Sequence, residues 1–165
     1  MVGSALSMAE DLIGARITFG DVPVVAINGA SREIKADFLY SHHADRLGRW
    51  VRNQARLFGP GFTVHSRNRQ EYGALPCVDH WWDVPAGGGS AWEARKVAAS
   101  MGFELVVLCG CPLLAGPYQG HKLDGLLHDD DVAQSLFAQI EADVDWHAGC
   151  ISMSGRTREL LGCSP

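Results

Sequence analysis

Short apolar runs separated by longer amphipathic stretches make up most of this chain. Two of the runs, VVAI and LVVL, show no alternation of polar and apolar residues, which is typical of parallel strands covered on both faces. We predict five strands, at residues 23–28, 36–41, 62–66, 104–110 and 150–154. Helical spacing of apolar residues predicts helices between them, at residues 7–19, 44–58, 90–101, 129–146 and 155–162.

The alternation of strand and helix predicts an α/β fold. We expect a three-layer, Rossmann-like open sheet that is mostly parallel and carries helices on both faces. The length of 165 residues is ordinary for one domain, so we take residues 1–165 as a single Rossmann-like domain. The stretch 67–86 has no regular period and contains Trp81 and Trp82, which predicts a long loop or an irregular crossover.

Charge and cysteine content narrow the classes of partner. The net charge of −5 argues against duplex nucleic acid as a partner, because duplex binding needs a basic face. No apolar run reaches the roughly 18 residues of a membrane span, so we expect a cytoplasmic protein without a membrane partner. The five cysteines form no CxxC pair, and we predict no metal site. The identity of any cofactor stays open.

Two clusters of glycine and serine, VGSALS at 2–7 and GGGS at 87–90, each precede a predicted helix. Glycine lets a ligand approach the backbone closely, and the first N–H groups of a helix attract phosphate, ribose hydroxyl or carboxylate groups. GGGS matches neither the GxGxxG fingerprint nor the GxxxxGK[ST] phosphate loop. A ligand loop and a tight turn before a core helix therefore both remain open interpretations.

Both of these helices also begin with the pattern of a capping box. In that motif a serine hydroxyl and a carboxylate three residues later each accept a hydrogen bond from a backbone N–H of the first turn. The pattern pairs Ser7 with Glu10 and Ser90 with Glu93. The pattern predicts that these four side chains accept hydrogen bonds from the backbone at the start of their own helix.

An ordered set of segments is similar to a known family. The segments are GSALS (3–7), VVAINGA (24–30), ADFLYSHHAD (36–45), GGGSAWEARKVAASMGFELVVLCGCPL (87–113) and SMSGRTRELLG (152–162). Together they resemble phage-encoded proteins with a Rossmann-like domain. Those proteins are related to the 6-hydroxymethylpterin diphosphokinase-like domain and, remotely, to bacterial sialyltransferases. For a phage-encoded protein the cytoplasm would be that of the host.

The resemblance implies that two loops hold a nucleotide. Carried over by position, the implied contacts are Gly3, Ser4 and Ser7 in the first loop, Asn28 after the next strand, and Gly88, Gly89 and Ser90 in the second loop. The chain departs from the family where Ala5 and Leu6 replace a glycine and a proline, and where Cys111 replaces an acidic residue. Only two residues precede the first loop, where the family has an apolar strand.

Several titratable side chains follow predicted strands and would therefore lie at the carboxyl edge of the sheet. His42 and His43 follow strand 36–41, and His121 and Lys122 follow strand 104–110. The histidines are candidates for a general base, and Lys122 is a candidate contact for phosphate. Arg156, at the start of the last helix, is a second candidate phosphate contact because a guanidinium binds phosphate through two donors. Hydrogen-bonded or exposed loop side chains remain the alternative interpretation.

We therefore expect a protein that binds a nucleotide or nucleotide sugar and transfers a glycosyl or diphosphate group, with a loop histidine as base. One alternative is a noncatalytic protein that binds or sequesters a nucleotide. A second alternative is an assembly module in which Trp81 and Trp82 anchor a partner or a homo-oligomer, because tryptophan is enriched at interface hot spots.

Overall fold

The computed structural model describes residues 1–68, 75–114 and 130–164. The helices of these ranges are α1 (Met8–Phe19), α2 (Ala44–Phe58), α3 (Gly89–Ser100), α4 (Asp130–Ala142) and α5 (Gly155–Leu161). Their strands are β1 (Val25–Ile27), β2 (Phe38–Tyr40), β3 (Thr63–Arg67), β4 (His80–Trp82), β5 (Val106–Leu108) and β6 (Cys150–Ser152). Short 3₁₀ helices cover Asn28–Arg32 and Val144–Trp146.

The five predicted strands and five predicted helices are all present, and the strands are mostly shorter than predicted. The helix predicted for 129–146 ends at Ala142 and is followed by a 3₁₀ turn. The stretch predicted as a loop or crossover contains one further strand, β4, which pairs with β3 through Ser66 and Trp81. A three-residue edge strand is too short to show a period, which explains why the prediction missed it.

All strand pairs within the described ranges are parallel. One sheet has the order β1-β2-β3-β4, and β5 pairs with β6. Residues at the amino terminus join the two ladders, because Val2 forms parallel bridges with Ala26 on one side and Cys109 on the other. The Val2 N–H donates to Val25 O at 2.8 Å, and the Gly3 N–H donates to Cys109 O at 2.8 Å. The strands therefore form one continuous parallel ladder whose carboxyl ends share an edge.

Helices cover both faces of this ladder. On one face, buried strand side chains pack against α3 and α4. The strands contribute Ile27, Tyr40, Val106 and Leu108, and the helices contribute Trp92, Val97 and Ile140. On the other face, Ala26 and Cys109 pack against Met8 and Ala15 of α1. Also on that face, Leu39 and Val64 pack against Leu47 and Trp50 of α2. The expected three-layer α/β arrangement with an open parallel sheet is confirmed.

None of the helices in the described ranges has the length and apolar character that a bilayer crossing requires.

Candidate functional site at the carboxyl edge of the sheet

Four loops lie at the carboxyl edge of the sheet: the first loop, which follows Val2, and the loops after β1, β2 and β6. Asn28, just after β1, accepts a hydrogen bond through Oδ1 from the Ser41 hydroxyl after β2, at 2.7 Å. The backbone of Asn28 has a positive φ of 52°, which a non-glycine residue rarely adopts and which occurs often at functional sites. Ser7 and Ser154 lie within hydrogen-bond distance of each other, with their hydroxyls 3.1 Å apart. The first loop, Asn28 and the loops after β2 and β6 therefore border one region.

Glu93 of α3 is the centre of the strongest polar cluster at this edge. Its side chain is only 3% exposed. Oε2 lies 3.0 Å from Nδ1 of His42 and 3.1 Å from the hydroxyl of Tyr40. Oε1 lies 3.3 Å from Nε of Arg67, as an ion pair rather than an aligned hydrogen bond, and accepts a long hydrogen bond of 3.4 Å from the Gly87 N–H.

This arrangement corrects the predicted capping box at α3. The helix begins at Gly89, its N-cap is Gly88, and no side chain caps it. Ser90 and Glu93 therefore do not exchange the predicted bonds. Because α3 is buried on nearly all sides, Glu93 faces the ends of β2 and β3, where the buried carboxylate has stronger partners than its own backbone.

The surroundings of Glu93 favour its ionised form. Burial by itself raises the pKa of this carboxyl, but the hydrogen bond and charge of His42, the charge of Arg67 and the Tyr40 hydroxyl together lower the pKa below its usual value. An ionised carboxylate can only accept hydrogen bonds, so Nδ1 of His42 carries the proton. In the neutral form of the ring, the second nitrogen, Nε2, is then a proton acceptor.

The two neighbouring histidines have different environments. The His42 side chain is 17% exposed, and Nε2 has no hydrogen-bond partner among the described residues. The His43 ring packs edge-on against His42, with centroids 4.3 Å apart, and against Trp50, with centroids 6.2 Å apart. The His43 N–H donates to the Ser41 hydroxyl at 2.9 Å. His42 therefore has the orientation of a base held by a carboxylate.

The glycine loop before α3 serves packing. Gly88 has a φ of 71°, and a Cβ there would lie 2.6 Å from Cβ of Trp92. A Cβ on Gly89 would touch Leu136 of α4 at 3.4 Å. The Gly88 N–H donates to Oε1 of Gln139 at 2.9 Å. The glycines thus let α3 and α4 approach closely, and the loop already uses the N–H groups of Gly87 and Gly88.

Ser90 lies in the first turn of α3 beside this loop. Its side chain is 8% exposed, and among the residues that the structure describes its hydroxyl has no hydrogen-bond partner. The hydroxyl is therefore buried next to first-turn N–H groups that have no intrahelical acceptor.

The buried carboxylate of Asp11 accepts hydrogen bonds from the first loop and from two other loops. The capping box predicted for α1 is therefore also wrong. Ser7 precedes the helix without capping it, and its hydroxyl donates to Asp11 at 3.1 Å. The same oxygen of Asp11 accepts hydrogen bonds from the Ser154 hydroxyl at 2.5 Å and the Gly110 N–H at 2.8 Å. Asp11 therefore ties α1 to the loops after β5 and β6.

Gly3 and Ser4 follow the residue that bridges β1 and β5. A Cβ on Gly3 would lie 2.5 Å from the carbonyl oxygen of Gly110, so only glycine fits at this crossing. Ser4 is half-buried, and a Cβ on Gly29 would lie 3.9 Å from its hydroxyl. The predicted first loop therefore borders the turn that begins at Asn28.

Arg156 lies at the start of α5, close to the loop after β5. Its N–H donates to Pro112 O at 3.0 Å, and its guanidinium lies over the ring of Phe137 at 4.2 Å. A stacked guanidinium keeps its in-plane donors available to an anion. His121 and Lys122, the remaining predicted contacts, lie outside the described residues.

Sequence patterns missed Tyr40, Arg67 and the true role of Glu93. A signal was available in α3, where Glu93, Arg95 and Lys96 stand among Trp92, Ala94, Val97 and Ala98. A helix that is apolar on several sides and also charged must bury those charges, and buried charges need partners. The partners themselves come from β2 and β3, far away in the sequence.

No group of three or more histidine, cysteine, aspartate or glutamate side chains within the described ranges is arranged to hold a metal ion. Comparison of the chain with protein-family models, curated proteins and solved structures finds no match.

Proposed function

We propose that this protein binds a nucleotide or nucleotide sugar at the carboxyl edge of its sheet and transfers a glycosyl or diphosphate group from it, with His42 as general base. The observation that carries the proposal is the 3.0 Å contact between Nδ1 of His42 and Oε2 of the buried Glu93. A carboxylate in this position fixes the tautomer of the imidazole and stabilises the imidazolium that forms when the ring accepts a proton.

The chemistry follows from this tautomer. Nε2 of His42 removes the proton from an acceptor hydroxyl as the hydroxyl oxygen bonds to the donor carbon or phosphorus. The bond from that atom to the nucleotide leaving group breaks, and the leaving group departs with the electron pair. Arg67 and Tyr40 keep Glu93 in place, so both act as positioning residues.

The ligand would be held by the loops around this base. Ser4 and Asn28 offer hydrogen bonds to a ribose or base, and Arg156 offers a guanidinium to phosphate. The first-turn N–H groups of α3, with Ser90, supply a further positive dipole. Since the N–H groups of Gly87 and Gly88 are already used, phosphate contacts at α3 would come from Gly89 onward.

A noncatalytic nucleotide-binding protein is the second candidate. The observation that favours it is the complete set of protein partners around Glu93, because a buried carboxylate paired with His42 and Arg67 is also a stable structural element. On this alternative, ligand binding would occur without turnover.

The test is a thermal-shift screen against nucleoside triphosphates, nucleotide sugars and cyclic dinucleotides, with mass spectrometry of each mixture for products. A ligand that binds the folded chain raises its melting temperature by mass action. The matched variant is His42→Asn, whose amide N–H can replace Nδ1–H beside Glu93 while Nε2 is lost. His80→Asn, an exposed position on β4, is the control.

On the proposal, wild type and His80→Asn bind and turn over a donor, whereas His42→Asn binds with at least about a hundredfold less turnover. Binding by all three proteins without product would establish the noncatalytic alternative. Failure of the whole panel to shift the melting temperature would overturn both.

A further inference from the structure

Helix α1 has a second apolar side that faces away from the sheet. Its inner side buries Met8 and Ala15 against the sheet. On the outer side, Ile13 is 62% exposed and Ile17 is 81% exposed, and Leu6, just before the helix, is 61% exposed. Among the described residues, these are three of the four most exposed large apolar side chains. Contiguous exposed apolar side chains are a feature of protein interaction surfaces.

The outer residues of α1 recur at intervals of three and four, so they form one stripe. We call this stripe the outer face of α1; its helical members are Ala9, Glu10, Ile13, Arg16 and Ile17, and Leu6 before the helix and Gly20 after it flank them, all of them exposed. The spacing is that of two helices that pack along each other. Small residues at both ends, Ala9 and Gly20, leave room for a second helix.

The two charges on the outer face are placed symmetrically about Ile13. Glu10 lies three residues before it and Arg16 lies three residues after it. When two copies of α1 run antiparallel about a two-fold axis at Ile13, Glu10 of each copy lies level with Arg16 of the other, about 4.5 Å along the helix from the axis. Neither side chain forms an ion pair with another described residue, so both are available.

The same register also matches the apolar positions. Ile13 packs against its own symmetry mate, and Ile17 lies opposite Ala9 of the other copy. Gly20, just after the helix, leaves open space at this end, because a Cβ there would meet nothing within 4 Å in its own chain. Large side chains thus meet small ones, and opposite charges meet across the axis.

We propose that the outer face of α1 is the interface of a symmetric dimer in which two copies of this helix pack antiparallel about Ile13. A helix of 12 residues is about 18 Å long, so the pair buries less than the roughly 800 Å² per partner of a standard interface. The dimer therefore dissociates on dilution. It forms on the face of the sheet opposite α3, independently of the proposed nucleotide site.

The test uses charge reversal and sedimentation equilibrium from about 5 µM to about 500 µM. Glu10→Arg and Arg16→Glu each place like charges opposite one another, and each should weaken dimerisation at least about tenfold. The double variant restores both pairs and should dimerise within about threefold of wild type. Mixing the two single variants should also restore a dimer, because each then carries the charges that complement the other.

Two further variants separate the interface from the fold. Ile13→Ser removes the central apolar contact and should leave a monomer, whereas Glu141→Arg, an exposed reversal on α4, should leave the dimer unchanged. At low concentration all variants should stay folded, because none of these side chains is buried in one chain. The two charge reversals oppose the dipole of α1 and should each lower the melting temperature by only a few degrees. A wild-type monomer across the whole range would overturn the proposal. A dimer insensitive to Ile13→Ser, or no recovery on mixing, would overturn it equally.

Discussion

Glu93 on α3 and Arg67 at the end of β3 form an ion pair beneath the carboxyl edge of the sheet, with Oε1 3.3 Å from Nε. Their side chains are 3% and 16% exposed, so water cannot replace either partner easily. Two layers of the fold therefore meet at a charge contact that also carries His42 and Tyr40. The proposed base and the stability of the chain depend on the same carboxylate.

Replacing Glu93 with Gln should destabilise the fold by about 2–4 kcal/mol, because the guanidinium of Arg67 then stays buried without a counter-charge. Denaturant unfolding at pH 7 measures the loss. Glu141→Gln, at an exposed position on another helix, should change the free energy of unfolding by less than about 0.5 kcal/mol. Equal effects of the two variants would show that the buried pair adds nothing to stability.

His65 should make stability depend on pH. The Trp82 indole N–H donates to Nδ1 of His65 at 2.9 Å, so Nε2 carries the ring proton and donates to the Thr63 hydroxyl at 2.8 Å. Burial, with a smaller effect of the nearby His80, lowers the pKa of His65 from 6.5 to about 4. The folded state therefore favours the neutral ring.

Because this folded pKa lies below the unfolded value, the contribution of His65 is complete above pH 6.5 and is lost as the pH falls towards 4. At about 1.4 kcal/mol per pH unit, the loss is about 3 kcal/mol. Between pH 7 and pH 4, the free energy of unfolding of wild type should fall by about 3 kcal/mol more than that of His65→Asn. Trp82→Phe frees Nδ1 and should raise the pKa of His65 in an NMR titration, and an unchanged pKa would argue against the assigned tautomer.

Replacing Asp143 should lower the free energy of unfolding more than replacing its partner Lys96. The ammonium of Lys96 is 1% exposed and contacts Oδ2 of Asp143, which is 28% exposed and also accepts the Trp92 indole N–H at 2.9 Å. Asp143→Ala leaves the buried ammonium without a counter-charge, with only its 3.3 Å hydrogen bond to Pro85 O, and leaves the indole N–H without its acceptor, so it should cost about 3–5 kcal/mol. Lys96→Met leaves a carboxylate that water can reach and should cost less than half as much. The reverse order in denaturant unfolding would contradict this expectation.

Gly88→Ala should destabilise the chain by more than its backbone angle alone requires. The positive φ of 71° costs an alanine about 1 kcal/mol, and the new Cβ would also press on Trp92 at 2.6 Å. Gly102→Ala is the control, since its φ is 91° and nothing lies within 4 Å of a Cβ there. The difference between the two melting temperatures reports the clash, and similar values would mean that Trp92 moves aside freely.

Some of the proposed ligand contacts could be predicted from local sequence patterns, whereas others depend on long-range packing. Position after a predicted strand was enough to place His42 and His43 at the carboxyl edge, because parallel strands all end on the same side. No sequence pattern could show that Glu93 holds the His42 ring, because Glu93 lies on another helix, distant in the sequence. The nucleotide itself, and the roles of His121 and Lys122, stay predictions.

Local sequence patterns were sufficient for the α/β alternation, the three layers and the full extent of α2, because apolar spacing and glycine boundaries act over a few residues. Long-range packing settled that Val2 joins the two ladders, that β4 adds an edge strand, and that Glu93 leaves its local capping pattern for Tyr40, His42 and Arg67. Short strands gain their hydrogen bonds from distant neighbours, and a buried charge is stabilised by whichever partners the fold brings near it. Neither effect leaves a periodic trace in the chain.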